Sequence, residues 1–139
     1  MKLMQKWTNN LFTGLEESMG EKNLMEMLEE CGRQCLTEHF KKTASSLRRK
    51  AKNDKEFLQE LSKKWKALKP EKGGIFVVYP KCYCYVVGKF PGTVPHSYCY
   101  CSRGWIRELF EYSLGRPVKV DIISTIKRGD RECRFRVRL

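Results

Sequence analysis

Five cysteines between Cys82 and Cys133 concentrate the chemistry of this sequence. They fall in the strings CYCY and CYCSRGW, which hold the C-x-C pairs Cys82/Cys84 and Cys99/Cys101, and in GDRECRF, which holds Cys133. On a strand, residues two apart project to one face. Each C-x-C pair, if extended, then presents two sulfurs on one side. Four sulfurs converging on a point suit a soft metal, zinc first and an iron–sulfur cluster second. The same residues also make sense as packing, because free cysteine behaves as a small buried hydrophobe. Cys82, Cys84, Cys99, Cys101 and Cys133 are therefore the candidate ligands of one thiol-rich site.

Other chemistry-bearing residues stand around this belt. Trp105, Tyr83, Tyr85 and Tyr100 could line an apolar pocket for an aromatic or planar ligand, although tyrosines are also ordinary sheet residues. His96 lies three residues before Cys99, which gives the pair of a base and a nucleophile that a cysteine hydrolase would need. The plainer reading is an exposed histidine in a proline-rich loop. Upstream, Cys31, Cys35 and His39 fall at i, i+4 and i+8 of a helical pattern, within the string CGRQC. A second metal or redox face is one reading. The favoured one buries both cysteines against other helices, with Gly32 giving room for a close neighbour.

The elements that must position these residues change character halfway along. Leu3, Trp7, Leu11 and Leu15 recur every four residues and predict a helix over Lys2–Met19, with Gly20 as its cap. Leu24, Met27, Leu28, Cys31, Cys35 and Phe40 predict one helix from Glu21 to Lys42. Thr43–Lys52 reads as an exposed basic helix. Asn53 and Glu56 form a capping-box pattern that opens a helix running to Lys69. After Pro70 and Gly73-Gly74 the sequence turns strand-rich: IFVVY (75–79) and CYCYVV (82–87) predict a hairpin around Pro80-Lys81. Gly88–Pro95 is a loop, 102–114 a helix stopped by Gly115 and Pro117, and Val118–Ile126 a long alternating strand. Arg128-Gly129-Asp130 turns the chain back. Cys133, Phe135 and Val137 then alternate with Arg134, Arg136 and Arg138, giving a last strand with one buried and one basic face, placed at a sheet edge.

The expected architecture is α+β in a single domain, residues 1–139. A helical part, 1–72, packs on an antiparallel sheet of about four strands within 73–139, with one helix inserted between two hairpins. At 139 residues the chain is long enough to bury a real core. No run approaches the roughly 18 apolar residues of a membrane span, and the start MKLMQKWTNNLF has no signal-peptide pattern. Seven cysteines without an export signal point to a reducing, cytoplasmic setting. The net charge of +12, from 28 Lys+Arg less 16 Asp+Glu, favours anionic partners. Its strongest block, LRRKAK at 47–52, reads as a solvated helix face, and no RNA or DNA signature accompanies it.

The C-terminal string YCYCSRGWIRELFEYSLGRPVKVDIISTIKRGDRECRFRVRL resembles the 4-vinyl-reductase-type domain, a fold that includes sensory domains of aromatic-responsive transcription activators. It is equally similar to the end of the L-2-amino-thiazoline-4-carboxylic acid hydrolase family, and to cysteine-rich bacterial proteins with a CGRxC helix. In zinc-binding members of the sensor family the hairpin motif runs E-x-x-C-x-x-x-G-D-x-x-C, with another cysteine upstream of the inserted helix. Cys133 matches the last ligand, and Cys101 or Cys99 the upstream one. Ile122 stands where Glu is expected and Thr125 where the middle Cys is expected, so Cys82 and Cys84 would have to replace them from across the sheet.

Three functions follow as expectations. The first is a sensor-type module binding a small hydrophobic or planar molecule, or a metal, at the cysteine-rich site. The second is a cysteine-dependent hydrolase of the thiazoline-carboxylate type, using Cys99 and His96. The third and weakest is non-specific nucleic-acid binding through the basic surface. No membrane partner is expected, and a homodimer is compatible with the sequence, which fixes no oligomeric state.

Overall fold

Local capping signals set the helical half. A computed structural model describes residues 2–84 and 86–139. Helix α1 (Lys2–Met19) ends at Gly20, whose φ of 81° lets the chain turn directly into α2 (Glu21–Cys35). The expected continuous helix to Lys42 is broken. Leu36 takes an extended conformation and enters the core, and the Thr37 hydroxyl accepts from the Phe40 amide at 3.2 Å to cap α3 (Glu38–Lys50). His39 therefore belongs to a different helix from Cys31 and Cys35. The Asn53 cap is present, its Oδ1 accepting from the Glu56 amide at 2.9 Å, and it opens α4 (Asp54–Lys64). That helix stops five residues before the expected Lys69, because Leu68 is already in strand β1.

The sheet is four-stranded, in the order β1-β2-β4-β3, with every neighbouring pair antiparallel. Two hairpins build it, β1 (Leu68–Glu71) with β2 (Gly74–Tyr79) and β3 (Lys119–Ser124) with β4 (Cys133–Arg138). Helix α5 (Tyr100–Leu114) is inserted between them, so the α+β architecture is as the sequence predicts. The first hairpin is made of different residues than expected. IFVVY pairs backwards with Leu68–Glu71 across Lys72-Gly73, placing Pro70 on an edge strand where its missing donor costs nothing. The described residues of CYCYVV form no strand, and the described part of 80–95 is irregular. Strand β3 likewise ends at Ser124, after an irregularity at Ile122/Ser124. Residues Ile126–Arg128 form a 3-10 turn closed by Gly129 at φ 102°.

Strand β4 shows the expected alternation, with Cys133, Phe135 and Val137 buried and the three arginines outward. It is a central strand, not an edge, so its arginines form a solvated sheet face held by carboxylates. Arg138 pairs with Asp121 at 2.6 Å, and Arg134 with Glu132 and Glu71 at 2.9 and 3.4 Å. The opposite face packs Val77, Val120, Phe135 and Val137 on Phe57, Leu61, Ile106, Leu109 and Phe110. One continuous core thus joins both halves of the chain. The stripe on α1 behaves differently: Phe12 is buried, while Leu3, Trp7 and Leu11 are exposed. No helix among the described residues is long and apolar enough to cross a membrane.

Candidate functional site

Two glycines bring α2 and α5 together. A Cβ on Gly32 would lie 1.8 Å from the Cys101 carbonyl oxygen, and a Cβ on Gly104 would lie 2.0 Å from that of Glu29. Neither position can hold a larger residue unless the helices separate. Charged side chains brace the crossing. Arg103 and Arg107 reach the buried Glu29 at 2.7 and 3.3 Å, and Arg33 reaches Glu108 and Glu111 at 3.1 and 2.8 Å. This contact fixes the first turn of α5, and hence Cys101, against α2.

Beside that contact lies a cavity of about 440 Å³. Its walls come from α2 (Gly32, Cys35), the end of β2 (Tyr79), the irregular segment (Cys82, Tyr83, Cys84, Val86, Val87) and the start of α5 (Cys101, Ser102, Trp105). Tyr98 and Cys99 of the preceding 3-10 turn, Thr125, Lys127 and the start of β4 (Cys133, Phe135) complete them. Its volume falls in the range that encloses small organic ligands. Six of the seven cysteines, all but Cys31, line it. The two C-x-C segments do meet, but as a loop and a helix start, so the expected presentation of paired sulfurs on strand faces does not occur.

Burial raises three of the thiols on this wall, Cys99, Cys101 and Cys133, and so favours their protonated form. Burial pushes Cys101 and Cys133 up to about 11. Cys99 is also raised by burial, while its Sγ donates to Thr125 Oγ1 at 3.3 Å. Burial, and then the contact of its hydroxyl with Cys84 Sγ at 3.2 Å, raises Tyr98. The Cys133 sulfur accepts from the Ile126 amide at 3.4 Å. Trp105 lies between the cavity and an aromatic cluster, with its ring centroid 5.5 Å from Trp65 and 5.9 Å from Phe40. These packed rings give the cavity a rigid floor.

The irregular segment closes the other side. Val87, Phe90 and Val94 form a small core of their own, against which Cys82, Cys84 and Tyr98 pack. The Val94 amide donates to the Lys127 carbonyl at 3.1 Å, and the buried Lys127 ammonium donates back to the carbonyls of Phe90 and Gly92. Gly88 fits under the Cys84 carbonyl, where a Cβ would lie only 2.5 Å from the oxygen.

The remaining candidates are placed as follows. Tyr83 stands at the rim, largely exposed. Tyr100 is turned away from the cavity and donates to Glu21 Oε1 at 3.1 Å. Tyr85 lies outside the described residues. His96 is exposed, its Nε2 3.1 Å from Glu21 Oε1, and it makes no hydrogen bond to Cys99. Cys31 and Cys35 are both exposed, contrary to expectation, because Gly32 between them occupies the helix contact and turns them to its flanks. Among the described residues, the one trio of His, Cys, Asp or Glu with ligand atoms all within 4.8 Å of one another is Glu16, Glu21 and His96, at the surface. Among the described residues, no three cysteine sulfurs lie within 4.8 Å of one another. Sequence reasoning missed Tyr79, Tyr98, Lys127 and the part played by Cys35.

Residues 2–139 match the model of a family of unknown function, DUF6144, and the chain belongs to that family. No curated protein matches the sequence.

Proposed function

We propose that this protein is a binding module for a small, apolar, planar molecule, held in the cavity between α2, α5 and the 80–95 segment. The observation that carries this reading is a preformed cavity of about 440 Å³ walled by aromatic rings and protonated thiols. Sulfur is soft and polarisable and makes favourable contacts with aromatic faces and edges. Six thiols and Trp105 therefore offer a planar ligand more dispersion than hydrogen bonding. The resemblance of the C-terminal string to aromatic-responsive sensory domains points the same way.

The chemistry of the wall favours binding over catalysis. A cysteine nucleophile needs its thiolate and a base to form it. Here burial holds Cys99, Cys101 and Cys133 protonated, and His96 is engaged by Glu21. Structural zinc would likewise need these thiols deprotonated and drawn into one coordination sphere.

Calorimetric titration with neutral two-ring aromatics tests the reading, beside elemental analysis of the purified protein. The expected result is saturable one-to-one binding to metal-free protein, lost in Cys101→Phe, whose larger side chain fills the wall. Binding left intact in a folded Cys101→Phe variant, or no binding by any such compound, would contradict it.

A further inference from the structure

Lys127 is the one lysine, arginine, aspartate or glutamate among the described residues that line the cavity, and it is 5% exposed. An ammonium carries three donors. Two of them are met by the carbonyls of Phe90 and Gly92. No carboxylate among the described residues lies within ion-pair distance of it. Asp130, three residues on, is instead turned to the Thr125 amide at 3.0 Å. Among the described residues, the cavity wall contains no aspartate or glutamate. A buried cation with neutral acceptors alone carries a large desolvation cost that an anion would offset.

Sequence periodicity would have put this residue in water. Along an extended strand Lys127 would sit off the Val120/Ile122 face. The 3-10 turn at Ile126–Arg128 is what rotates it inward, beside the buried Thr125. The fold therefore brings a lysine to the wall of an apolar cavity, where methionine or leucine would fill the space without that cost.

Resting on the binding function proposed above, we infer that the ligand is an apolar acid: a planar or hydrocarbon body against the thiol wall, with its carboxylate on the Lys127 ammonium. The Thr125 and Tyr98 hydroxyls are further polar groups of the same wall. The net charge of +12 raises the local concentration of such an anion before it docks.

The test compares two probes of one shape, 2-naphthoate and 2-naphthamide, by calorimetry on the full chain. Wild-type protein is expected to bind the acid at least about tenfold more tightly than the amide, the factor that a charge-assisted hydrogen bond supplies. Lys127→Met should bring the acid-to-amide affinity ratio to about one, whatever the loss of its bonds to Phe90 and Gly92 does to both affinities alike; Lys127→Arg should keep the preference. Equal affinities in wild type, or a preference surviving in Lys127→Met, would overturn the assignment and leave Lys127 as an anchor for the 80–95 segment. If Lys127→Met does not fold, the wild-type ratio and Lys127→Arg decide the matter. Binding of both probes without preference defeats only this inference, whereas failure of both to bind defeats the binding function with it.

Discussion

Gly32 on α2 sits against the carbonyl of Cys101 on α5, so closely that a Cβ there would lie 1.8 Å from the oxygen. Gly32 thereby couples a close helix–helix backbone contact to the wall of the cavity, which it also lines. In Gly32→Ala, helix propensity favours the variant by about 1 kcal/mol. The clash with backbone acts in the other direction, and overpacking of this kind costs about 1–3 kcal/mol or more. Because the obstructing atom is a main-chain oxygen, the clash should win. Gly32→Ala and Gly104→Ala are expected to melt several degrees below wild type, roughly 4 °C for each kcal/mol. Gly14→Ala is the control: nothing lies within 4 Å of its added methyl, and it should melt at or above the wild-type temperature.

The thiols should divide by position. Cys31 and Cys35 are exposed, whereas Cys99 and Cys133 are buried. Mass spectrometry after brief alkylation of native protein at neutral pH should find label first on Cys31 and Cys35. Early label on Cys133 would contradict the structure.

The raised thiols also set an alkaline limit. A group whose folded pKa lies above its unfolded value contributes stability that is complete below the unfolded value and lost as pH rises. For Cys101 and Cys133 that window runs from about 8.5 to about 11. The melting temperature should fall across it, and fall less in Cys133→Ala. That variant should itself cost about 1 kcal/mol at neutral pH, through the loss of one small buried group.

At the acid end the bracing ion pairs act in the opposite sense. Lys41, followed by Arg33, holds Glu108 below the usual carboxylate range. Its contribution is present above about pH 4.3 and lost as pH falls through the depressed folded value. Glu108→Gln should cost about 1 kcal/mol at pH 7, given its partial exposure. It should cost progressively less in melts taken below pH 4. A constant penalty across that range would deny the ion pair its role.

The second hairpin and the inserted helix were legible in the sequence because alternation and turn residues are local signals. Cys133, Phe135 and Val137 against three arginines leave little choice of register. The break at Leu36-Thr37 was also present locally, as a threonine three residues before the amide it caps, but the apolar stripe ran across it. The site was harder to read. CYCYVV has strand composition, yet Leu68–Glu71 supplies the partner that β2 uses. The string is instead held to the loop that it packs on, and its C-x-C spacing loses its strand meaning. Whether Lys127 or Tyr98 faces a cavity depends on 3-10 turns, which composition does not announce.

Three tryptophans provide the most direct test of the central claim, since they report separately. Trp105 lines the cavity, Trp65 packs behind it, and Trp7 is exposed on α1. Nitrogen-15 labelled protein should be titrated with a neutral two-ring aromatic while the three indole N–H resonances are followed. A saturable shift of the Trp105 signal is expected, with a smaller one for Trp65 and none for Trp7. A titration that leaves Trp105 unmoved, or that shifts Trp7 alone, would contradict a ligand in this cavity.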